Sequence, residues 1–258
     1  MARRAEQVTA MNAIYVMWLR EVKRFIRSKS RIVGALGQPL LFLVALGYGL
    51  GPVFQKAGQG NYLEFIAPGI IAMSIIFTSI FNGMQVIWDR QFGFLKETMV
   101  APVPRLFIML GRTLGGATVA TLQGMLVLMF TIIAGFRPVS WDGIVPALVV
   151  MLLVAILFSA FGMTVASKLK DMQGFQLIMN LLVMPLFFLS GALFPLKGVP
   201  YVLYWLARVD PLSYGVDAMR QLLVGVSGFG IWPDITVLVI VGAFFLWLGA
   251  HFFSQVEA

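Results

Sequence analysis

Six apolar runs, each long enough to carry a helix across a hydrocarbon core of about 30 Å, decide what this chain can fold into. They cover residues 32–51, 65–87, 106–134, 143–166, 175–194 and 235–253. In lipid every backbone N–H and C=O needs an internal partner, and continuous runs of this length meet that need as helices, not as the short alternating strands of a barrel. With 60% hydrophobic and 12% charged residues, the chain has roughly half the charge of a soluble domain. The expected fold is an all-α polytopic membrane protein with six transmembrane helices, organised as one transmembrane domain over residues 1–258.

Basic residues are retained on the cytoplasmic side of a membrane. With the N-terminus inside, the inner segments hold 14 of the 19 Lys and Arg residues and carry a net charge of +8, whereas the outer segments sum to zero. Both termini are therefore expected in the cytoplasm. The basic balance then reflects topology, and no nucleic acid partner is implied. Residues 5–30 read as an amphipathic interfacial helix: Met11, Ile14, Tyr15, Trp18, Val22 and Phe25 recur at three- and four-residue steps, with Arg20, Lys23, Arg24 and Arg27 on the other side.

Within the spans, Gly111 and Gly115, then Gly116, Ala120 and Gly124, predict close helix contact through small residues. Arg112 is expected to snorkel toward the interface. Ser74, Thr78 and Asn82 form a four-residue stripe flanked by Phe77 and Phe81. That stripe can line a path for an amphiphilic substrate or hydrogen-bond a neighbouring helix. The short connection Ser167–Gly174 makes spans four and five expected antiparallel neighbours. Residues 195–230 read as an outer re-entrant segment of two short helices, the second opened by Asp210 as N-cap and Pro211, with Asp217 and Arg220 able to pair on its wetter side.

Several chemistries lack their residues. There is no Gly-Lys pair, hence no G-x-x-x-x-G-K-[ST] phosphate loop; there is no cysteine, and His251 is the one histidine. No catalytic, cofactor-binding or metal-binding residue is assigned. The spans also lack the midplane charges of ion-coupled carriers. Energy for transport would have to arrive elsewhere, and the mixed-charge segment 88–105, set between spans two and three, is the natural receiver.

Four stretches carry a family resemblance: YLEFIAPGIIAMS at 62–74, FLKETMVAPVPR at 94–105, FFLSGALFPLKGVP at 187–200 and DPLSYGVDAMRQLLVG at 210–225. In order and spacing the chain resembles the permease subunits of type-two ABC exporters, similar to the doxorubicin-resistance and nodulation lipo-oligosaccharide exporter permeases. The resemblance implies a six-span half-transporter in the plasma membrane of a prokaryote, paired with a second permease copy as a homodimer and bound by two cytoplasmic ABC ATPase subunits. ATP and magnesium would sit on the ATPases, and this chain would bind no cofactor. Residues 88–105 would form a cytoplasmic coupling helix, with Phe92, Phe94 and Leu95 as its apolar insertion and Asp89, Arg90, Lys96 and Glu97 as its polar rim. The substrate implied is an amphiphile (drug, lipid or glycolipid) moved among membrane lipids. A secondary carrier or a non-transporting structural membrane protein is the alternative.

Overall fold

A computed structural model of the chain describes residues 2–56, 61–93, 104–196 and 198–255, with side chains from residue 10 onward. Its elements in chain order are α1 (Ala2–Arg27), α2 (Lys29–Gly49), α3 (Gly51–Lys56), α4 (Tyr62–Asn82) and α5 (Met84–Gln91). After these come α6 (Arg105–Ile133), α7 (Ile144–Lys168), α8 (Met172–Leu189), α9 (Tyr201–Val209), α10 (Pro211–Val224) and α11 (Ile231–Ser254). Among the described residues, six helices are long and apolar enough to cross a membrane: α2, the continuous pair α4–α5, α6, α7, α8 and α11. The fold is all-helical and multi-pass, as the apolar runs require.

Local chemistry sets the helix ends. The Asn61 side chain accepts from the Leu63 N–H at 3.0 Å to open α4, and Asp171 accepts from Gln173 and Gly174 to open α8. Asp210 accepts from the Leu212 N–H at 2.8 Å with Pro211 at the first helical position of α10, the N-cap arrangement expected there. Span five stops at Leu189, earlier than its apolar run, because Ser190 caps it and Gly191 turns left-handed at φ 71°. The last span starts at Ile231, ahead of the expected 235, where Gly230 leaves its φ of 100° for helical geometry.

Helix α4 is the centre of the bundle, with 78% of its apolar window buried, against 17% for α2, 22% for α8 and 17% for α11. A helix apolar on every side is a core helix, and small residues let its neighbours approach. A Cβ at Gly124 of α6 would fall 2.8 Å from Ile75, one at Gly162 of α7 would fall 2.6 Å from the Ile80 carbonyl, and one at Gly69 would fall 2.6 Å from the Ala192 carbonyl. Gly83 meets Gly162 across the same contact, so the junction of α4 and α5 sits flush on α7. The glycines of α6 divide between two faces: Gly116 and Gly124 meet α4, whereas Gly111 and Gly115 meet α1.

Two expectations change here. Spans four and five are not packed neighbours: α8 rests on α4 and α5, and α7 packs chiefly on α11, α6 and α4. Leu169 and Asp171 adopt extended backbone between them and carry the chain sideways. The stripe Phe175, Met179, Val183, Phe187 then buries against the bundle, with Phe175 edge-on to Phe81 at 6.4 Å and Phe187 edge-on to Phe42 at 6.5 Å. Helix α1 likewise does more than lie on a surface. It packs along α6 through Ile14, Met17, Trp18 and Glu21, while Met11 and Tyr15 of the expected apolar face are exposed.

Candidate coupling site

The polar segment after span two is described as far as Gly93, and its root, α5, is fastened on two sides. On the first, Asp89 accepts through one carboxylate oxygen from both Arg20 of α1 and Arg112 of α6. Glu21 lies 3.9 Å from Arg20 and 3.6 Å from Arg24, and Arg24 donates to Gln85. Arg112 is only 2% exposed, so water does little to screen this cluster. On the second side, Arg90 donates to the carbonyls of Leu169 at 3.1 Å and Ser167 at 3.3 Å, and Gln91 donates to the Lys170 carbonyl at 3.1 Å. Helix α5 is thereby tied to α1, to α6 and to the α7–α8 turn.

The third side of α5 is open. Trp88 is 45% and Phe92 59% exposed, and their rings lie 5.1 Å apart. An exposed aromatic pair at the root of a polar segment is the apolar anchor that protein interfaces favour. Of the residues expected to face a partner, Phe92 points outward. Asp89 does not form a solvated rim, because it is buried beneath the two arginines, and Arg90 is spent on backbone carbonyls. Phe94, Leu95, Lys96 and Glu97 lie outside the described residues.

Arg112 does not snorkel: the carboxylate of Asp89 holds it inside the bundle. Its Nε and Nη1, together with Arg20 Nε and Glu21 Oε1, make no hydrogen bond among the described residues, the last two facing each other at 3.9 Å. A buried network that is only partly satisfied is held less firmly than an apolar contact of the same area. Arg20, with Asp89 and Glu21 both in reach, has two acceptors to choose between.

The stripe proposed as a substrate path divides. Ser74, Phe77, Thr78 and Phe81 line a crevice of about 190 Å³ between α2 and α4, closed by Phe25, Arg31 and Pro39. Phe77 and Phe81 stack there at 6.1 Å. Ser74 donates to its own helix at the Ile71 carbonyl, 2.8 Å away. Asn82 leaves the stripe and buries its amide over Gly116 of α6, where a Cβ would collide with it at 2.2 Å. Each four-residue step overshoots a 3.6-residue turn by about 40°, so by Asn82 the stripe has rotated about 80° from Ser74.

At the opposite end, α9 and α10 stand where two short helices are expected. Asp217 and Arg220 are both buried and do not form an ion pair. Asp217 accepts from Ser227 Oγ and from the N–H groups of Gly228 and Phe229, while Arg220 donates to the Gly191 carbonyl at 2.9 Å and lies over the Phe65 ring at 4.3 Å. Burial draws Arg220 down to about 10 while nearby Asp217 opposes the change, so it stays cationic at neutral pH. Backbone groups presented by the turns at 191 and 227–229 offer both side chains more than they could offer each other.

Family membership follows from comparison with known proteins. Residues 12–224 match the ABC-2 type transporter family. Nodulation protein J of Rhizobium leguminosarum bv. trifolii is 30% identical over 255 residues, covering 96% of this chain and 94% of its own. The inner membrane transport permease YadH of Escherichia coli (strain K12) is 27% identical over 238 residues, covering 91% and 92% respectively. The chain belongs to the ABC-2 type transporter family.

Proposed function

We propose that the chain is the membrane-spanning permease subunit of an ATP-driven exporter in a prokaryotic plasma membrane. It is read as working as a homodimer with two cytoplasmic ATPase subunits and as moving an amphiphile outward. The observation that carries this reading is the mounting of α5, clamped through Asp89 and Arg90 to three other elements while Trp88 and Phe92 face out. A segment so held passes a push at its exposed face into α1, α6 and the α7–α8 turn. The relatives named as a transport permease and a nodulation protein support the same class.

On this account ATP, with magnesium on the ATPases, draws those subunits together and α5 moves with them. Arg20 then trades between Asp89 and Glu21, letting α1 shift on the glycine face of α6. ATP acts only through its different affinity for the two arrangements. The crevice at Ser74, Phe77, Thr78 and Phe81 lies beside Arg31 at the same end and suits the chain of an amphiphile whose headgroup stays near the basic residues. Copurification with a P-loop ATPase lacking spans of its own, followed by ATPase assays against lipids, glycolipids and amphiphilic drugs, tests this. The account requires a stable complex whose hydrolysis responds to at least one amphiphile, and a chain that binds no ATPase refutes it.

A further inference from the structure

Where α10 meets α11, a carboxyl group is buried with nothing to donate to it. Asp234, in the first turn of α11, has 0% exposure, and neither of its oxygens has a hydrogen-bond partner among the described residues. The group it faces, within hydrogen-bonding reach, is the carboxylate of Asp217 on α10. Ionised carboxylates only accept, so as two anions the pair could offer each other nothing but repulsion. A buried charge without a partner neutralises instead of staying ionised. We propose that Asp217 and Asp234 form a proton-binding site, a carboxylic acid facing a carboxylate, that latches the turn between α10 and α11.

The hydrogen bonds decide which partner holds the proton. Asp217 accepts from Ser227 Oγ at 3.1 Å and from the N–H groups of Gly228 and Phe229, each at 2.8 Å, donors that suit a negative charge. Asp234 receives none, so it is the acid and donates to Asp217. The neighbouring charges agree. Arg220 lies near Asp217 and offsets the one charge that remains. Of the helices packed on α11, α7 has no charged residue before Lys168 and α6 none after Arg112. Glu64 and Tyr204 border the outer cavity with Asp217, Tyr214 donates to the Arg208 carbonyl, and Arg137 and Asp142 are exposed.

The same carboxylate shapes the turn. Ser227 Oγ, bonded to Asp217, accepts in its own right from the Gly230 N–H at 2.9 Å, so residues 227–230 are gathered at the entry to α11. Val226, Ser227, Gly228 and Phe229 also wall the outer cavity of about 750 Å³. With the proton bound the wall is drawn in. With the proton lost, two buried anions push Asp217 and the start of α11 apart, so the turn loosens as pH rises.

The test uses the full-length chain in lipid nanodiscs, carrying Asp210→Asn so that this other buried carboxyl adds no signal. Infrared spectra are expected to show a deuterium-sensitive band of a protonated carboxyl at neutral pH, lost in alkali and absent from Asp234→Asn, whose amide can still donate to Asp217. Val226→Cys places a single spin label on an exposed edge of the turn, since the chain has no cysteine of its own. The label's mobility should rise in alkali, and that response should be lost in Asp234→Asn and in Asp217→Asn, neither of which can set two anions face to face. A metal ion bridging the carboxylates would instead leave no such band and make the turn loosen when a chelator is added at neutral pH. That result, a band that survives Asp234→Asn, or a label with no pH response in the parent or the same response in both variants, overturns the proposal.

Discussion

Replacing Asp89 by Ala removes the one carboxylate that Arg112 touches among the described residues and strands that guanidinium at 2% exposure. Breaking a buried ion pair by deleting one partner costs about 3–5 kcal/mol, since the remaining charge keeps its desolvation penalty. Arg20 suffers less, because its side chain is 32% exposed and can return to water or Glu21. Across a chain of this size about 1 kcal/mol moves the midpoint by roughly 2–4 °C, so Asp89→Ala should lower it by roughly 6–20 °C. The companion variant Asp89→Leu with Arg112→Met exchanges the pair for apolar side chains, which is often neutral or stabilising by about 1–4 kcal/mol. Differential scanning fluorimetry on the purified protein reads the stability, and ATPase stimulation in proteoliposomes reads the coupling. The account expects the double variant to recover its midpoint yet remain uncoupled, because α5 is then packed but no longer bound to an arginine that can change partners. A midpoint shift below about 2 °C for Asp89→Ala would show that the buried pair does not have the energetics assigned to it.

Other perturbations bear on separate parts of the argument. Gly111→Val places carbon where a Cβ already comes within 2.7 Å of the Ile14 carbonyl and Met17; it should cost about 1–3 kcal/mol and expose α1 to limited proteolysis, whereas Gly37→Ala, with open space around it, should do neither. Trp88→Ala with Phe92→Ala removes the exposed ring pair, and loss of about 2 kcal/mol from two interface anchors should weaken ATPase association roughly thirtyfold in a pull-down titration while membrane insertion is unchanged. Burial pushes the carboxyl of Asp210 up to about 7, opposed by its hydrogen bonds to Leu212 and Ser213. Its folded pKa lies above the unfolded value near 4, so the stability it contributes is full below about pH 4 and lost as pH rises through about 7. Asp210→Asn should keep the cap on Leu212 and flatten that part of the stability profile in scans from pH 4 to 8.

How much of this was legible beforehand depends on which physical rule each residue obeys. Spans are readable because lipid imposes one length and one composition on them. Caps such as Asp210 with Pro211 are readable because their partners lie two or three residues away. The tight contacts of Gly111, Gly115, Gly116 and Gly124 were visible as a spacing, although their division between α1 and α4 was not, since periodicity names a face and not a neighbour. Asp89 and Arg112 show the limit most clearly. Each looks interfacial by position, and only the three-helix meeting at Arg20 reveals that they neutralise each other inside the bundle. A carboxylate within a few residues of a span end and an arginine just past the start of the next were the available signal. Trp88 heads the segment 88–105 but carries no charge and drew no role, and Gln85 stands inside the span, yet α5 leaves one exposed and brings the other to Arg24. Spans four and five misled because a short loop ordinarily joins neighbours, and two extended residues were enough to defeat that rule.

The central claim is that the outward face of α5 receives a cytoplasmic ATPase. Because the chain contains no cysteine, Phe92→Cys introduces a single reactive thiol, and Trp232→Cys at the start of α11 serves as the opposite-side reference. Labelling with a membrane-impermeant maleimide in sealed, oriented vesicles, with and without bound ATPase, reads both side and contact. The account predicts that position 92 labels from the cytoplasmic side alone and is protected by the ATPase, while position 232 labels from the other side and is indifferent to it. Labelling of position 92 from the outside, or at an unchanged rate in the ATPase complex, would contradict it.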